Sequence, residues 1–139
     1  MTHKIFVNLP VKDLAVSMEF FGKLGFEFNP DFANENGVCM VVSDNIFVML
    51  LMEDFFQTFT KKEVADATKT TEVLTALSVE SREAVDELLS VALEAGGQEA
   101  REPQDHGFMY GRSFEDPDGH IWEIFYMDEK AVSEETNKS

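Results

Sequence analysis

The pattern of apolar and polar positions in the first half of the chain predicts one helix among four strands. Residues 4–9 are rich in β-branched and aromatic side chains and predict a strand, whose ladder Pro10 ends. Asp13 is a predicted N-cap, and the apolar positions of the helix that follows recur at spacings of four, three and three: Leu14, Met18, Phe21 and Leu24. Gly25 closes this helix. Three further strands are predicted, with turn sequences between them: 26–32, 38–43 and 46–52.

The second half of the chain repeats this order. Residues 72–79 predict a strand, and Ser81 can cap a helix that ends at Gly96 and Gly97. The inward positions of this helix are predicted to be Val85, Leu88, Leu89 and Ala92. The last three predicted strands are 98–100, 108–114 and 120–127, and the DPDG sequence at 116–119 turns the final hairpin.

The chain is therefore predicted to be α+β, with two βαβββ modules that together form a curved eight-stranded cradle. The first strands of the modules align at a distance of 68 positions, Leu9 with Leu77 and Val11 with Val79. One such module leaves a sheet face uncovered, and a second copy is the obvious cover. We expect a single domain over 1–127, with modules at about 4–53 and 72–127 and a flexible acidic tail at 128–139. The connector, 54–71, carries three phenylalanines and a predicted short helix over 61–67. It is either a flap or partner contact, or a seal for one end of the sheet.

Composition and charge narrow the classes of partner. The net charge of −16 would repel nucleic acid and anionic lipid. No segment is apolar and long enough to span a membrane, and the first residues do not resemble a signal peptide. A lone cysteine, Cys39, suits a reducing compartment and is predicted to be a small buried hydrophobe. These features predict a cytoplasmic protein.

Three stretches resemble the vicinal oxygen chelate superfamily, which includes glyoxalase I, extradiol dioxygenases, fosfomycin-modifying enzymes and bleomycin-sequestering proteins. They are NLPVKDLAVSMEFFGKLGF at 8–26, ALSVESREAVDELLSVALEAGG at 76–97 and SFEDPDGHIWEIF at 113–125. The resemblance implies metal ligands on the first and last strand of each module. Carried over by motif, these positions hold Phe6, Met49 (or Val48, if the alignment shifts by one residue), Leu74 and Glu123.

Of these four side chains, Glu123 alone is a useful ligand for a hard metal ion. His3 and His120 each lie three residues from a ligand position and point to the opposite face of their strands, so His106 alone could turn inward. We therefore expect no metal and no other cofactor.

Without a metal, the cleft implied by the resemblance would bind a small organic ligand. The predicted binding residues are Phe6, Asn8, Met49, Leu74, Tyr110, Arg112, Phe114 and Glu123. Tyr110, Arg112 and Phe114 share one face of their strand, but the sequence leaves open which face that is. Two structural alternatives stay open: Glu123 pairs only with Arg112, and Asn8 only satisfies a neighbouring backbone group.

Four functional hypotheses follow. The first is a metal-free, small-molecule-binding protein of the sequestering type, expected to form a homodimer as relatives of this fold commonly do. The second is a metal-dependent lyase or dioxygenase with a displaced site around Glu123 and His106. In the third, Glu123 is the general base of a metal-free enzyme. The fourth is a dimeric interaction protein whose cleft is filled by side chains.

Overall fold

The computed structural model describes residues 2–130, and these divide into two compact units, 2–67 and 68–130. Each unit contains one four-stranded sheet, here called the first and the second sheet. The elements of the first unit are β1 (Ile5–Val11), α1 (Leu14–Lys23), β2 (Glu27–Asn34), β3 (Gly37–Ser43), β4 (Ile46–Met52) and α2 (Glu53–Gln57). Those of the second unit are β5 (Leu74–Ser78), α3 (Arg82–Glu94), β6 (Gln98–Asp105), β7 (Met109–Glu115) and β8 (Ile121–Met127).

The two sheets have the same topology. The strand order is β1-β4-β3-β2 in the first sheet and β5-β8-β7-β6 in the second, and neither sheet closes into a barrel. In each sheet the first and last strands of the module are parallel neighbours, and the other pairs are antiparallel. The α+β class and the doubled βαβββ order predicted from the sequence are confirmed.

Local sequence signals begin and end the helices as predicted. The Asp13 carboxylate accepts hydrogen bonds from the backbone N–H groups of Ala15 (2.9 Å) and Val16 (3.3 Å), which caps α1. Ser81 caps α3 by accepting from the N–H of Ala84 at 3.0 Å. Gly25 follows α1 with a φ of +98°, a left-handed conformation that favours glycine.

Each helix packs its apolar stripe on one face of its sheet. Of the predicted stripe of α1, Phe21 is buried, together with Ser17 and Phe20, whereas Leu14, Met18 and Leu24 are half-buried. In the second unit, α3 buries Val85, Leu89 and Ala92 as predicted. The buried hydrophobic side chains on the strands of the same unit are Phe114, Trp122 and Ile124.

The connector differs from the prediction. Residues 61–67 are not helical; the short helix is α2, which directly follows β4. Phe55 and Phe56 of α2 pack against a buried cluster of Cys39, Met49 and Leu51. These two rings therefore cover part of one face of the first sheet. Phe59 lies edge-to-face with Phe55 and is 70% exposed.

The predicted tail, 128–139, lies outside the described residues from position 131 onward. Within the described part of the chain, no helix combines the length and the apolar character that crossing a bilayer requires.

Candidate functional site

A row of four residues crosses the second sheet from edge to edge. The strand register pairs Ala76 of β5 with Glu123 of β8, Glu123 with Ser113 of β7, and Ser113 with Arg101 of β6. Residues paired across strands point to the same face of a sheet. These four, called the pocket row below, therefore share one face, called the pocket face.

An ion pair closes over the middle of the pocket row. Arg101 Nη2 donates to Glu123 Oε2, although β6 and β8 are separated by β7 and thus lie about 10 Å apart. Both side chains must lean across Ser113 to meet. Ser113 is accordingly 0% exposed, and its Oγ has no hydrogen-bond partner among the described residues. Such an unpaired buried hydroxyl calls for an explanation, because native proteins pair the large majority of these groups.

A cavity of about 450 Å³ lies at this row. Its lining comprises Leu74, Ala76, Ala100, Arg101, Ser113, Ile121 and Glu123. The volume lies within the range typical of small-molecule sites. The lining is also typical of such sites, because it places a few polar groups among apolar walls. Of the ion pair, the Glu123 side chain is 15% exposed and that of Arg101 is 43% exposed. The guanidinium is therefore the charge that solvent reaches more easily.

Arg101 reaches the pocket face because β6 is irregular beside it. Glu99 pairs with Phe114 and Arg101 pairs with Ser113. Between these two pairs β6 moves on by two residues but β7 by only one, so β6 contains one extra residue. Such a bulge re-aims a side chain. Glu99 faces α3 and binds Arg112, whereas Arg101 points to the other side of the sheet. Strict alternation would place both on one face, and the predicted strand ended at residue 100. For these reasons the sequence did not reveal Arg101.

Tyr110, Arg112 and Phe114 share one face, as predicted, but that face is covered by α3. Tyr110 Oη donates to Asp86 Oδ1 of α3 at 2.6 Å, and Arg112 Nη1 donates to the same oxygen at 3.1 Å. Phe114 is 2% exposed and stacks on Trp122. The prediction that these three residues line the pocket with Glu123 is wrong, because alternation along β7 and β8 places Glu123 and Ser113 on the opposite side.

The structural alternative in which Glu123 pairs with Arg112 is not observed. Arg112 binds Asp86 and Glu99, while Arg101 binds Glu123. On the α3 side, the hydrogen bond from Tyr110 holds the pKa of Asp86 below its usual value, with help from Arg112 and Arg82 and against partial burial. The same hydrogen bond raises the pKa of Tyr110. These contacts attach α3 to the sheet.

The predicted residues of the first unit lie on one face of the first sheet. Phe6 stacks on Phe47 with a centroid distance of 4.8 Å, and the register pairs Asn8 with Met49. The Asn8 amide donates to the carbonyl oxygen of Phe6 at 3.1 Å, so it satisfies a nearby backbone group, as the structural alternative held. Met49 is 7% exposed within the cluster that α2 seals. Cys39 lies in the same cluster, and burial raises the pKa of its thiol.

Comparison of the two registers identifies equivalent positions. Phe6 pairs with Phe47 and Leu74 pairs with Ile121; two residues further on, Asn8 pairs with Met49 and Ala76 pairs with Glu123. On the next strand, Cys39 opposite Met49 corresponds to Ser113 opposite Glu123. Met49, rather than Val48, is thus the equivalent of Glu123. At the β4 and β3 positions, Met49 and Cys39, the row of the first sheet is apolar and lies against α2, whereas the row of the second sheet is polar there and borders a cavity.

Comparison with known proteins identifies the family. The profile of the Glyoxalase/Bleomycin resistance protein/Dioxygenase superfamily matches residues 5–124. The chain belongs to this superfamily. A search of curated proteins gave no match.

Solved structures of the superfamily fold resemble this chain over most of its length. A hypothetical protein, SA1046, from S. aureus is 31% identical, with a TM-score of 0.76 over 91% of this chain and 95% of that one. A glyoxalase-related enzyme from Fulvimarina pelagi is 24% identical, with a TM-score of 0.74 over 91% and 88% of the two chains. TnmS3, an antibiotic binding protein from Streptomyces sp. CB03234, is 17% identical, with a TM-score of 0.64 over 91% and 97%.

The side chains at the positions that correspond to superfamily metal ligands do not fit a divalent cation. Phe6 and Leu74 have no donor atom, and Met49 offers a soft sulfur. Glu123 has a carboxylate, but the Arg101 guanidinium already neutralises it and would repel a cation. Across residues 2–130, no three His, Cys, Asp or Glu side chains come together in a way that could hold a metal ion.

His106 does not complete a displaced site. It lies in the turn after Asp105, which pairs with Tyr110, whereas Glu123 is opposite Ser113. Tyr110 and Ser113 are three residues apart along β7, so the turn that holds His106 is about 10 Å or more from the pocket row. The His106 backbone N–H closes the hairpin by donating to the carbonyl oxygen of Met109 at 2.8 Å.

Proposed function

We propose that this chain binds a small organic molecule on the pocket face of the second sheet, without a metal ion. The observation that carries the proposal is the pocket row itself, in which an ion pair with a solvent-accessible arginine and an unpaired serine hydroxyl border a cavity of about 450 Å³. Met49 and Cys39, the equivalents of Glu123 and Ser113 in the first sheet, instead lie against the rings of α2. TnmS3, an antibiotic binding protein, has the same fold and gives a precedent for a binding role.

Among the predicted binding residues, Leu74 and Glu123 stay in this proposal, because both line the cavity. Arg101 and Ser113 join them as polar contacts, and Ala76, Ala100 and Ile121 as apolar walls. Phe6, Asn8 and Met49 belong to a different surface, a face of the first sheet. The donor set does not favour the alternative of a metal-dependent lyase or dioxygenase. Nor is Glu123 free to act as a general base while Arg101 binds it.

A methyl NMR fragment screen in the presence of EDTA tests the proposal. We expect binding fragments to shift the methyl signals of Leu74, Ala76, Ala100 and Ile121, and the shifts to persist with EDTA. Ala76→Phe should abolish the shifts of Leu74, Ala100 and Ile121 by filling the cavity. Ala33→Phe, at an exposed position of β2, is the matched control and should leave them unchanged. Shifts that vanish with EDTA and return with a divalent ion would overturn the metal-free proposal. A screen in which no fragment moves these methyls would overturn the site.

A homodimer and a cytoplasmic location are part of the same proposal. Apolar side chains are exposed on the edge strand β1, namely Ile5 (54%) and Phe6 (52%), and exposed edges of this kind favour association. Native mass spectrometry should therefore give twice the chain mass of 15.7 kDa. A single-chain mass at micromolar concentration would contradict the dimer. The lone buried Cys39 is consistent with a reducing compartment.

A further inference from the structure

We infer that the ligand of the pocket face carries an oxyanion, a carboxylate or a phosphate, attached to an apolar body, and that this oxyanion takes Arg101 from Glu123. This inference rests on the proposed function and specifies the chemistry of the same site. It depends on the donors and acceptors of the pocket row and on the position of Ser113 beneath the ion pair.

The pocket row offers more hydrogen-bond donors than acceptors. A guanidinium has five N–H donors, and within the described residues the side chain of Arg101 makes one bond, from Nη2 to Glu123. The Ser113 hydroxyl is a further donor without a partner among those residues. Glu123 contributes one oxygen that Arg101 does not bind. A ligand rich in acceptor oxygens satisfies this set, and a guanidinium can bind carboxylate or phosphate through two parallel N–H donors.

The arrangement of the ion pair also favours an anion over a cation. Arg101 is the more exposed partner and is held by a single acceptor, so its arm can turn toward a ligand at small cost. Glu123 is largely covered, and a cationic ligand would have to displace Arg101 to reach it. When Arg101 moves, the hydroxyl of Ser113 is uncovered beside both charges. It can then donate to the ligand or to Glu123, which gives the orphaned group a partner.

Four aromatic probes of similar size test the inference: phenylacetate, benzylphosphonate, phenylacetamide and phenethylamine. The readout is the Nε–H signal of each arginine in ¹⁵N NMR, because the chain has three arginines, Arg82, Arg101 and Arg112. Arg82 and Arg112 bind partners from the α3 side of the sheet and serve as internal references. We expect phenylacetate or benzylphosphonate to shift the Arg101 signal alone and to bind more tightly than the amide and the amine. The tighter of the two anions identifies the head group.

Variants separate the roles of the two charges. Arg101→Gln should weaken binding of the preferred anion by about tenfold or more. Glu123→Gln should strengthen it severalfold, because a competing anion is removed. The double variant with both changes controls for repulsion by an unpaired Glu123 and should bind as weakly as Arg101→Gln. Arg82→Gln is a matched control, since Arg82, like Arg101, is partly exposed and pairs with a carboxylate, that of Asp105, and this variant should bind like the wild type.

The outcomes distinguish this inference from the proposed function. If phenylacetamide or phenethylamine shifts the pocket methyls and binds at least as tightly as both anions, small-molecule binding stands and the oxyanion inference fails. The inference also fails if the double variant keeps wild-type affinity for the anion. If neither the probes nor any fragment shifts the methyl signals of the cavity residues, both the oxyanion inference and the proposed function fail.

Discussion

We predict that the last hairpin depends on the carboxylate of Asp116 for its stability more than on any other side chain. Asp116 is 5% exposed and accepts three hydrogen bonds: from the backbone N–H groups of Asp118 (2.9 Å) and His120 (3.0 Å), and from the indole N–H of Trp122 (3.0 Å). It therefore connects the DPDG turn to the core of the second unit, where Trp122 is 1% exposed. Asp116→Ala would leave all three donors without this acceptor.

The expected magnitude follows from where these donors lie. An unsatisfied buried donor costs about 1–3 kcal/mol. The indole N–H is fully buried and carries that cost, whereas the two turn amides belong to half-buried residues that water can partly reach. Burial raises the pKa of the Asp116 carboxyl, and this effect exceeds the opposite effects of the charge of His120 and of the three N–H donors. Burying the charged carboxylate is therefore unfavourable, and its removal offsets part of the stability that is lost with the hydrogen bonds. We expect Asp116→Ala to lower the free energy of unfolding by about 2–4 kcal/mol and Asp116→Asn by about 1–2 kcal/mol.

Urea unfolding measures this effect with two probes. The chain has a single tryptophan, so its fluorescence reports directly on the environment of Trp122, and circular dichroism at 222 nm reports on the helices. Asp44→Ala is a suitable control, because Asp44 is an exposed turn residue and such substitutions change stability by less than about 0.5 kcal/mol. A stability of Asp116→Ala within that margin of the wild type would refute the reasoning.

Three further predictions concern stability. Ser113→Ala should raise the free energy of unfolding by about 1 kcal/mol in urea titrations, because it removes an unpaired buried hydroxyl, and should weaken anion binding; a less stable variant would indicate a hidden partner. Asp86→Asn should flatten the acid limb of a pH–stability profile. The pKa of Asp86 is lowered in the folded state, so its contribution is present above the ordinary carboxyl pKa and is lost as the pH falls through the folded value; an unchanged limb would contradict this. Asp13→Ala should lower the free energy of unfolding by about 1 kcal/mol in thermal unfolding, because it removes the N-cap of α1. Asp13→Ser should leave it unchanged, because serine can cap the helix as well as aspartate.

The fold could be predicted from the sequence because its signals are local. Asp13 and Ser81 cap helices wherever their carboxylate or hydroxyl can reach the first N–H groups, and both do so here. Gly119, the last residue of the DPDG turn, has a φ of +88°, as the turn chemistry predicts. Repetition of these signals in both halves was enough to predict the doubled module.

The site was harder to predict because it depends on which face of a strand is covered. Alternation showed that Tyr110, Arg112 and Phe114 share a face, but it could not tell whether α3 or a ligand covers that face. The contacts with Asp86 decide the matter in favour of α3. Arg101 was hidden for another reason: a bulge breaks the period on which the prediction relies.

The duplication of the module explains why one half is the better candidate for binding. Equivalent positions hold Met49 and Cys39 in the first sheet and Glu123 and Ser113 in the second. Apolar side chains under α2 stabilise the first sheet by burial. An ion pair whose arginine is accessible to solvent contributes little to stability, and an unpaired buried hydroxyl beneath it is costly. Polar groups that lower the stability of the free protein are expected where a ligand supplies their missing hydrogen-bond partners. The signs predicted for Ser113→Ala, more stable but weaker in binding, therefore test the assignment of function to the second sheet.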